Sequence, residues 1–196
     1  MNSFLPDNYE RPAASGGNYA KLEDGQNRFR FLSPAIVGYV YWNTDNKPVR
    51  LSERPETLPE DIRHENGKPD RVKHFWAFAV WNYKEGKVQI LELTQASIQG
   101  PIEDLVVTED WGDPTGYDIT ITKKGQKLDT EYSVQPSPHK PIPAEAMAAL
   151  KARAIDLQAL FRGEDPFSQA SVQVNDKNDR NIADSKPNDF KDFGEQ

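Results

Sequence analysis

Arg71-Val-Lys-His-Phe-Trp-Ala-Phe-Ala-Val-Trp-Asn-Tyr83, a Lys84-Glu-Gly-Lys87 connection, and Val88-Gln-Ile-Leu-Glu-Leu93 read together as a β-hairpin. Two runs of β-branched and aromatic residues flank a short glycine-bearing turn, which is the local pattern of paired antiparallel strands. Successive side chains of a strand point to opposite faces. The first strand therefore presents Phe75, Ala77, Ala79, Trp81 and Tyr83 on one face and Trp76, Phe78 and Val80 on the other. Both faces are apolar or aromatic, and cations stand at the ends (Arg71, Lys73, Lys84, Lys87). One such face suffices to build a core. The surplus rings need either a covering element or a partner that prefers flat rings beside positive charge, and unpaired nucleic-acid bases on their phosphate backbone are such a partner.

Upstream, Arg28-Phe29-Arg30-Phe31-Leu32 alternates with period two, placing Phe29 and Phe31 inward and the arginines outward. Ile36 to Trp42 predicts a second strand, reached through a bend at Ser33-Pro34. Residues 1–20, with their Ala-Ala-Ser-Gly-Gly run, predict a flexible arm, and the polar residues 43–70 a long insertion loop. Downstream, Ile98, Ile102 and Leu105 mark a short helix starting near Gly100, since Pro101 belongs in a first turn. Tyr117–Lys123 and Thr130–Val134 alternate again as strands. A proline-rich link leads to a helix over 144–163, ended by Gly163. Residues 164–196 predict an acidic, disordered tail. The expected fold is mainly β with peripheral helices: a five-stranded OB-like barrel over 21–143 with the C-terminal helix packed on it.

Composition narrows the function classes. With 196 residues and 36% hydrophobic content, the chain accommodates one domain with extensions. Cysteine is absent, which excludes disulfides, thiolate nucleophiles and cysteine-based metal sites. No apolar stretch approaches membrane-spanning length and the first residues lack the basic and apolar parts of a signal peptide, so no membrane association and an intracellular setting are expected. The three histidines (His64, His74, His139) share no ligand spacing, and no nucleotide-binding glycine loop or nucleophile-elbow pattern occurs. Neither an enzyme nor a cofactor is expected. The net charge of −7 opposes a uniform polyanion-binding surface, but it is unevenly spread. Lys21 to Lys87 holds 12 Lys/Arg against 10 Asp/Glu, whereas Glu164 to Gln196 holds 4 against 8. Screening limits surface fields to about 8–10 Å at physiological salt, so a local basic patch can act independently of the total.

Rings and cations on the strands are accordingly the candidate contacts: Tyr39, Tyr41, Trp76, Phe78 and Trp81, with Arg28, Arg30, Lys73, Lys123 and Lys124. Each has an ordinary alternative, core filling for the rings and a solvated surface for the cations. A helix laid over the second face of the hairpin would absorb its rings without any ligand. The same ring-rich face could instead bind a protein, which leaves an interaction module without nucleic-acid binding as the alternative function.

Lys21-Leu-Glu-Asp-Gly-Gln-Asn-Arg-Phe-Arg-Phe-Leu32 is similar to the entry segment of bacteriophage single-stranded-DNA-binding (helix-destabilising) proteins. The hairpin pairing Phe75-Trp76-Ala77-Phe78 with Glu85–Glu92, followed by a helix, resembles the central hairpin of that family. Gly116–Gly125 and Leu128–Pro136 resemble its later strands. The resemblance implies an OB-fold that coats single-stranded DNA during phage replication, recombination or repair in the cytoplasm of the infected bacterial host. It also implies an acidic tail, here with Asp189, Phe190, Asp192 and Phe193, that contacts replication or recombination proteins. By position it makes Arg28, Arg30, Tyr39, Tyr41, Lys73, Trp76 and Phe78 DNA contacts. Two departures stand out. A cysteine-free chain cannot build the zinc subdomain of the T-even members, so residues 43–70 stand in its place, and residues 1–20 offer only Arg11 against Asp7 and Glu10 where those members carry a basic arm.

Overall fold

The hairpin strand lies at the hub of one antiparallel sheet. The structure, a computed structural model, describes residues 17–168. The arm up to residue 16 and the tail from residue 169, with Asp189, Phe190, Asp192 and Phe193, lie outside the described residues. In chain order the strands are β1 (Gly25–Phe31), β2 (Ile36–Trp42), β3 (Pro48–Leu51), β4 (His64–Glu65), β5 (Lys68–Pro69), β6 (Lys73–Asn82), β7 (Lys87–Leu93), β8 (Asp118–Lys124) and β9 (Glu131–Pro136). The helices are α1 (Ala96–Val107), α2 (Ala144–Ala152) and α3 (Ala159–Arg162).

β6 pairs along one edge with β7 and along the other with two strands in succession. Its first half meets β2 (Val37 opposite Trp76) and its second half meets β1 (Phe31 opposite Val80). The Ser33-Pro34 bend makes this division. Leu32 N donates to Ala79 O at 2.9 Å, and Ala79 N donates to Ser33 Oγ at 3.0 Å, so the bend stays tied to β6 where the ladder is interrupted. Beyond β2 lies β3, and beyond β1 lie β8 and β9, making a seven-stranded sheet; β4 and β5 pair separately.

The expected closure into a five-stranded barrel is not found. Among the described residues no ladder joins β7 to β9, and the sheet is open. The physical reason is visible at β7. Its outer edge is occupied by residues 18–20: Ile90 N donates to Asn18 O at 2.9 Å and Ala20 N to Ile90 O at 2.8 Å. A strand edge already holding one segment has no groups left at those positions for another.

Both faces of β6 are covered over most of its length, with His74 and Trp76 left partly open. Phe78 and Val80 join Phe29, Phe31, Leu91, Leu93, Ile119 and Ile121 beneath Ile98 and Ile102 of α1. Phe75 and Ala77 pack with Val40 and Ile90 against Leu160 and Phe167, and Trp81 packs with Val88 against Ala146 of α2. Each fully buried large apolar side chain contributes roughly 1.5–3 kcal/mol, so the aromatic surplus of the hairpin stabilises chiefly by docking the C-terminal segment. Gly38 permits the close approach: a Cβ there would lie 2.4 Å from Leu51 O and 2.8 Å from the Phe161 ring.

Four local expectations differ. The single helix expected over 144–163 is two, because the chain leaves helical geometry at Arg153. The Arg153 guanidinium bonds Asn18 Oδ1 at 2.5 Å and lies 3.9 Å over the Phe167 ring, while Ile155 and Leu157 turn into the core. Phe167 is itself buried, so folded structure continues past the expected tail boundary at 164. α1 begins at Ala96 rather than near Gly100, with Pro101 inside it. Proline in a helix interior costs ~3 kcal/mol, offset here by the buried Ile98 and by Gln99, whose Nε2 donates to Leu93 O at 2.9 Å. Residues 43–70 are structured as well. Asn66-Gly67 turns β4 into β5 with both φ positive, as a two-residue type I′ hairpin requires, and Ile62 is buried.

Candidate nucleic-acid interface

Alternation in β2 and β6 brings a line of rings onto one face. Tyr39 opposes His74 and Val37 opposes Trp76 across the ladder. The Tyr39 and His74 rings are 5.5 Å apart, His74 and Trp76 6.4 Å, and Trp76 and Phe78 6.3 Å, the last two edge to face. Phe78 in turn stacks on Phe31 at 4.5 Å and 21°. The line thus runs from solvent into the core. His74 is exposed, Tyr39 and Trp76 are half-buried, and Val37 is 49% exposed. At the inner end lies an apolar hollow of about 250 Å³, walled by Val37, Trp76, Phe78, Ile102, Val106 and the Asp113–Thr115 turn. A flat apolar ring can lie there against Trp76 with its polar edge outward, the geometry that base stacking needs.

The cations mostly lie elsewhere. Arg28 and Arg30 occupy the opposite face of β1 and converge on Asp118, whose side chain is 0% exposed. Arg30 Nε donates to Asp118 Oδ1 at 2.7 Å, Arg28 Nε to Oδ2 at 2.8 Å, Lys140 Nζ to Oδ2 at 2.7 Å, and Tyr83 OH to Oδ1 at 3.0 Å. Burial by itself pushes the Asp118 carboxyl up, but the hydrogen bonds from Lys140, Arg30, Arg28 and Tyr83 outweigh it and hold the group below the ordinary carboxylate value. The Tyr83 hydroxyl moves up, through burial first and the adjoining carboxylate second. Lys73, exposed, shares the face of Phe75 rather than that of Trp76 but begins the strand that carries the rings. Lys123 pairs with Asp24 at 3.4 Å, and Lys124 is exposed at the end of β8. Arg54 and Arg71 flank an open cleft of about 700 Å³ in the 43–72 region, with Leu58 and Pro69.

Of the ten sequence candidates, the structure brings Tyr39 and Trp76 to one accessible face, with Phe78 as the buried wall of the hollow. Arg30, Tyr41 and Trp81 are buried and serve the fold. Tyr41 OH donates to Asp61 Oδ1 at 2.9 Å, which holds the 43–70 segment against β2, and Trp81 is sealed under α2. These three do not reach a ligand at the surface. Sequence reasoning missed His74 and Val37 as members of the exposed face, although their positions alternate with Trp76 and Tyr39 and were legible once β2 and β6 were paired. It had no signal for Ile102 and Val106, which only the packing of α1 brings to the hollow. Among the described residues, no group of three His, Asp or Glu side chains is arranged to hold a metal ion, and no helix is long and apolar enough to cross a membrane.

Comparison with known proteins places this chain beside one named for its ligand. It is 27% identical over 140 residues to a probable ssDNA-binding protein of Escherichia phage T5. The match covers 60% of this chain and 54% of the relative, so the chain spans about half the length of the curated relative it matches. No family model matches, and no solved structure matches.

Proposed function

We propose that this protein binds single-stranded DNA without sequence preference, stacking bases on the exposed face of β2 and β6. The observation that carries the reading is the Tyr39–His74–Trp76 line ending in the apolar hollow: half-exposed rings at 5.5–6.4 Å spacing beside a cavity with no charged wall except at its Asp113 rim. The likeness to the phage T5 protein supports the same ligand. Lys73, Lys123 and Lys124 supply backbone charge, and each phosphate neutralised on a single strand contributes about −0.7 to the slope of log affinity against log salt.

The finer reading takes in the phage setting: protection of single strands during replication, recombination or repair in the infected host, with β1, β6, β7, β8 and β9 as a partly open OB-type sheet. Asp189, Phe190, Asp192 and Phe193 recruit replication or recombination proteins. Titration with oligo-dT should quench tryptophan emission with a salt slope worth a few phosphates. Unchanged emission together with no gel shift at low salt would refute the proposal, and a stable oligomer indifferent to oligonucleotides would point to the protein-interaction alternative.

A further inference from the structure

Three cations surround one carboxylate at Asp118, which leaves the cluster with an excess of positive charge. Arg28 and Lys140 both bind the same oxygen, Oδ2, at 2.5 and 2.7 Å. Their nitrogens are therefore held close enough for one tetrahedral anion to bridge them. Both side chains remain partly open to solvent, at 45% and 38%. The Tyr83 ring forms a floor beneath them, 4.5 Å from the Arg28 guanidinium and 5.6 Å from Lys140 Nζ. Partly exposed cations in excess of their carboxylate, over an aromatic floor, suit a charge-assisted bond to a phosphate oxygen.

We propose that Arg28 and Lys140, over Tyr83, form a binding site for a phosphate group on the sheet face opposite the ring line. The structure also supplies a route between the two faces. The Asp113–Thr115 turn walls the apolar hollow, and the same turn accepts Arg30 Nη1 at Thr115 O (3.4 Å), while Lys140 N donates to Gly116 O (3.1 Å). One three-residue turn thus separates a base-sized hollow from the cation pair. A single strand with a base in the hollow can pass over this turn and set a downstream phosphate between Arg28 and Lys140. This path rests on the DNA-binding reading; the phosphate site itself does not.

The test uses the full chain and two probes. The first is inorganic phosphate, titrated at constant ionic strength while the Arg28 Nε–H resonance is followed by NMR. The second is oligo-dT binding as a function of salt. Wild type should show a saturable shift with phosphate, Lys140→Gln should lose it, and Lys140→Arg should restore it. With oligo-dT, Lys140→Gln should flatten the salt slope by about 0.7, the value of one phosphate, with tryptophan quenching at saturation unchanged. Thermal melting of each variant shows whether the fold persists, and Lys140→Arg keeps the test decisive if Lys140→Gln does not fold. A phosphate response with no change in oligonucleotide slope upholds the site but overturns the path, assigning it to a free phosphate ester. An Arg28 resonance unmoved by phosphate, with the slope equal in all three proteins, overturns the proposal. If wild type binds no oligonucleotide at all, the function proposed above fails, and the phosphate titration still decides this site.

Discussion

Replacing Trp76 with alanine removes, among the described residues, the one ring that both touches solvent and walls the apolar hollow. Stacking a base on an exposed aromatic ring is worth about 1–3 kcal/mol, which corresponds to an affinity loss of about 5- to 150-fold. The structure favours the upper half of that range, because Trp76 lies between His74 and Phe78 and opposite Val37, held in place before any ligand arrives. Preorganised rings lose little freedom on binding. Oligo-dT titration followed by fluorescence anisotropy reads the loss directly, since it needs no tryptophan signal. Two internal controls separate stacking from general damage. No charge is removed, so the salt slope should stay at the wild-type value. Trp76→Phe should keep affinity within a few-fold while losing most of the tryptophan quenching, because Trp81 is buried, Trp42 is engaged with Arg63 at 5.6 Å and Trp111 is stacked on His139 at 5.9 Å. Wild-type affinity in a folded Trp76→Ala protein would refute the assignment of this face, whatever ligand the protein binds.

Asp118→Asn should destabilise by about 3–5 kcal/mol in urea unfolding, because it strips the anion from three cations, one of them fully buried. The Asp118 carboxyl is held below the ordinary carboxylate value in the folded state, so its stabilisation is complete above about pH 4 and drains away as pH falls through the folded value. Urea unfolding at pH 7 and pH 3 should therefore show a larger acid loss in wild type than in Asp118→Asn; equal losses would remove Asp118 as the cause. Gly38→Ala should cost about 1–3 kcal/mol by overpacking, since the new methyl meets Leu51 O and Phe161, and an unshifted melting curve would contradict that contact. Deleting 169–196 removes an acidic segment and should tighten oligo-dT binding at low salt, with the gain shrinking as salt rises; weaker binding would reverse the electrostatic account of the tail.

Several elements were legible one residue at a time. Alternation in Arg28–Leu32, Lys73–Asn82 and Tyr117–Lys123 exposed the strands, since a half-buried strand needs period two and no other local structure does. The Ser33-Pro34 bend, the turn at Glu85-Gly86 and the glycine cap at Gly163 followed from backbone stereochemistry that is local by nature. Which hairpin ring was spare could not be read this way. Trp76 and Trp81 are chemically alike and both sit on ring-rich faces, and only the docking of α2 and α3 on one face and α1 on the other separated them. Arg30 shows the same limit in reverse. Its alternating position predicted a solvated cation, yet it is sealed against Asp118, 88 residues away along the chain.

Local pattern thus determined where the long strands, the hairpin turn and the apolar stripe of α1 lie, along with the absence of cysteine chemistry and the surplus of rings on the hairpin. Tertiary structure alone decided that the sheet stays open, that the C-terminal helices cover most of those rings, and that the remaining rings and the Arg28–Lys140 pair lie on opposite faces. The division has a physical cause. Periodicity and backbone preference act over a few bonds, whereas burial and ion pairing depend on which distant segments meet, and that depends on the whole chain at once.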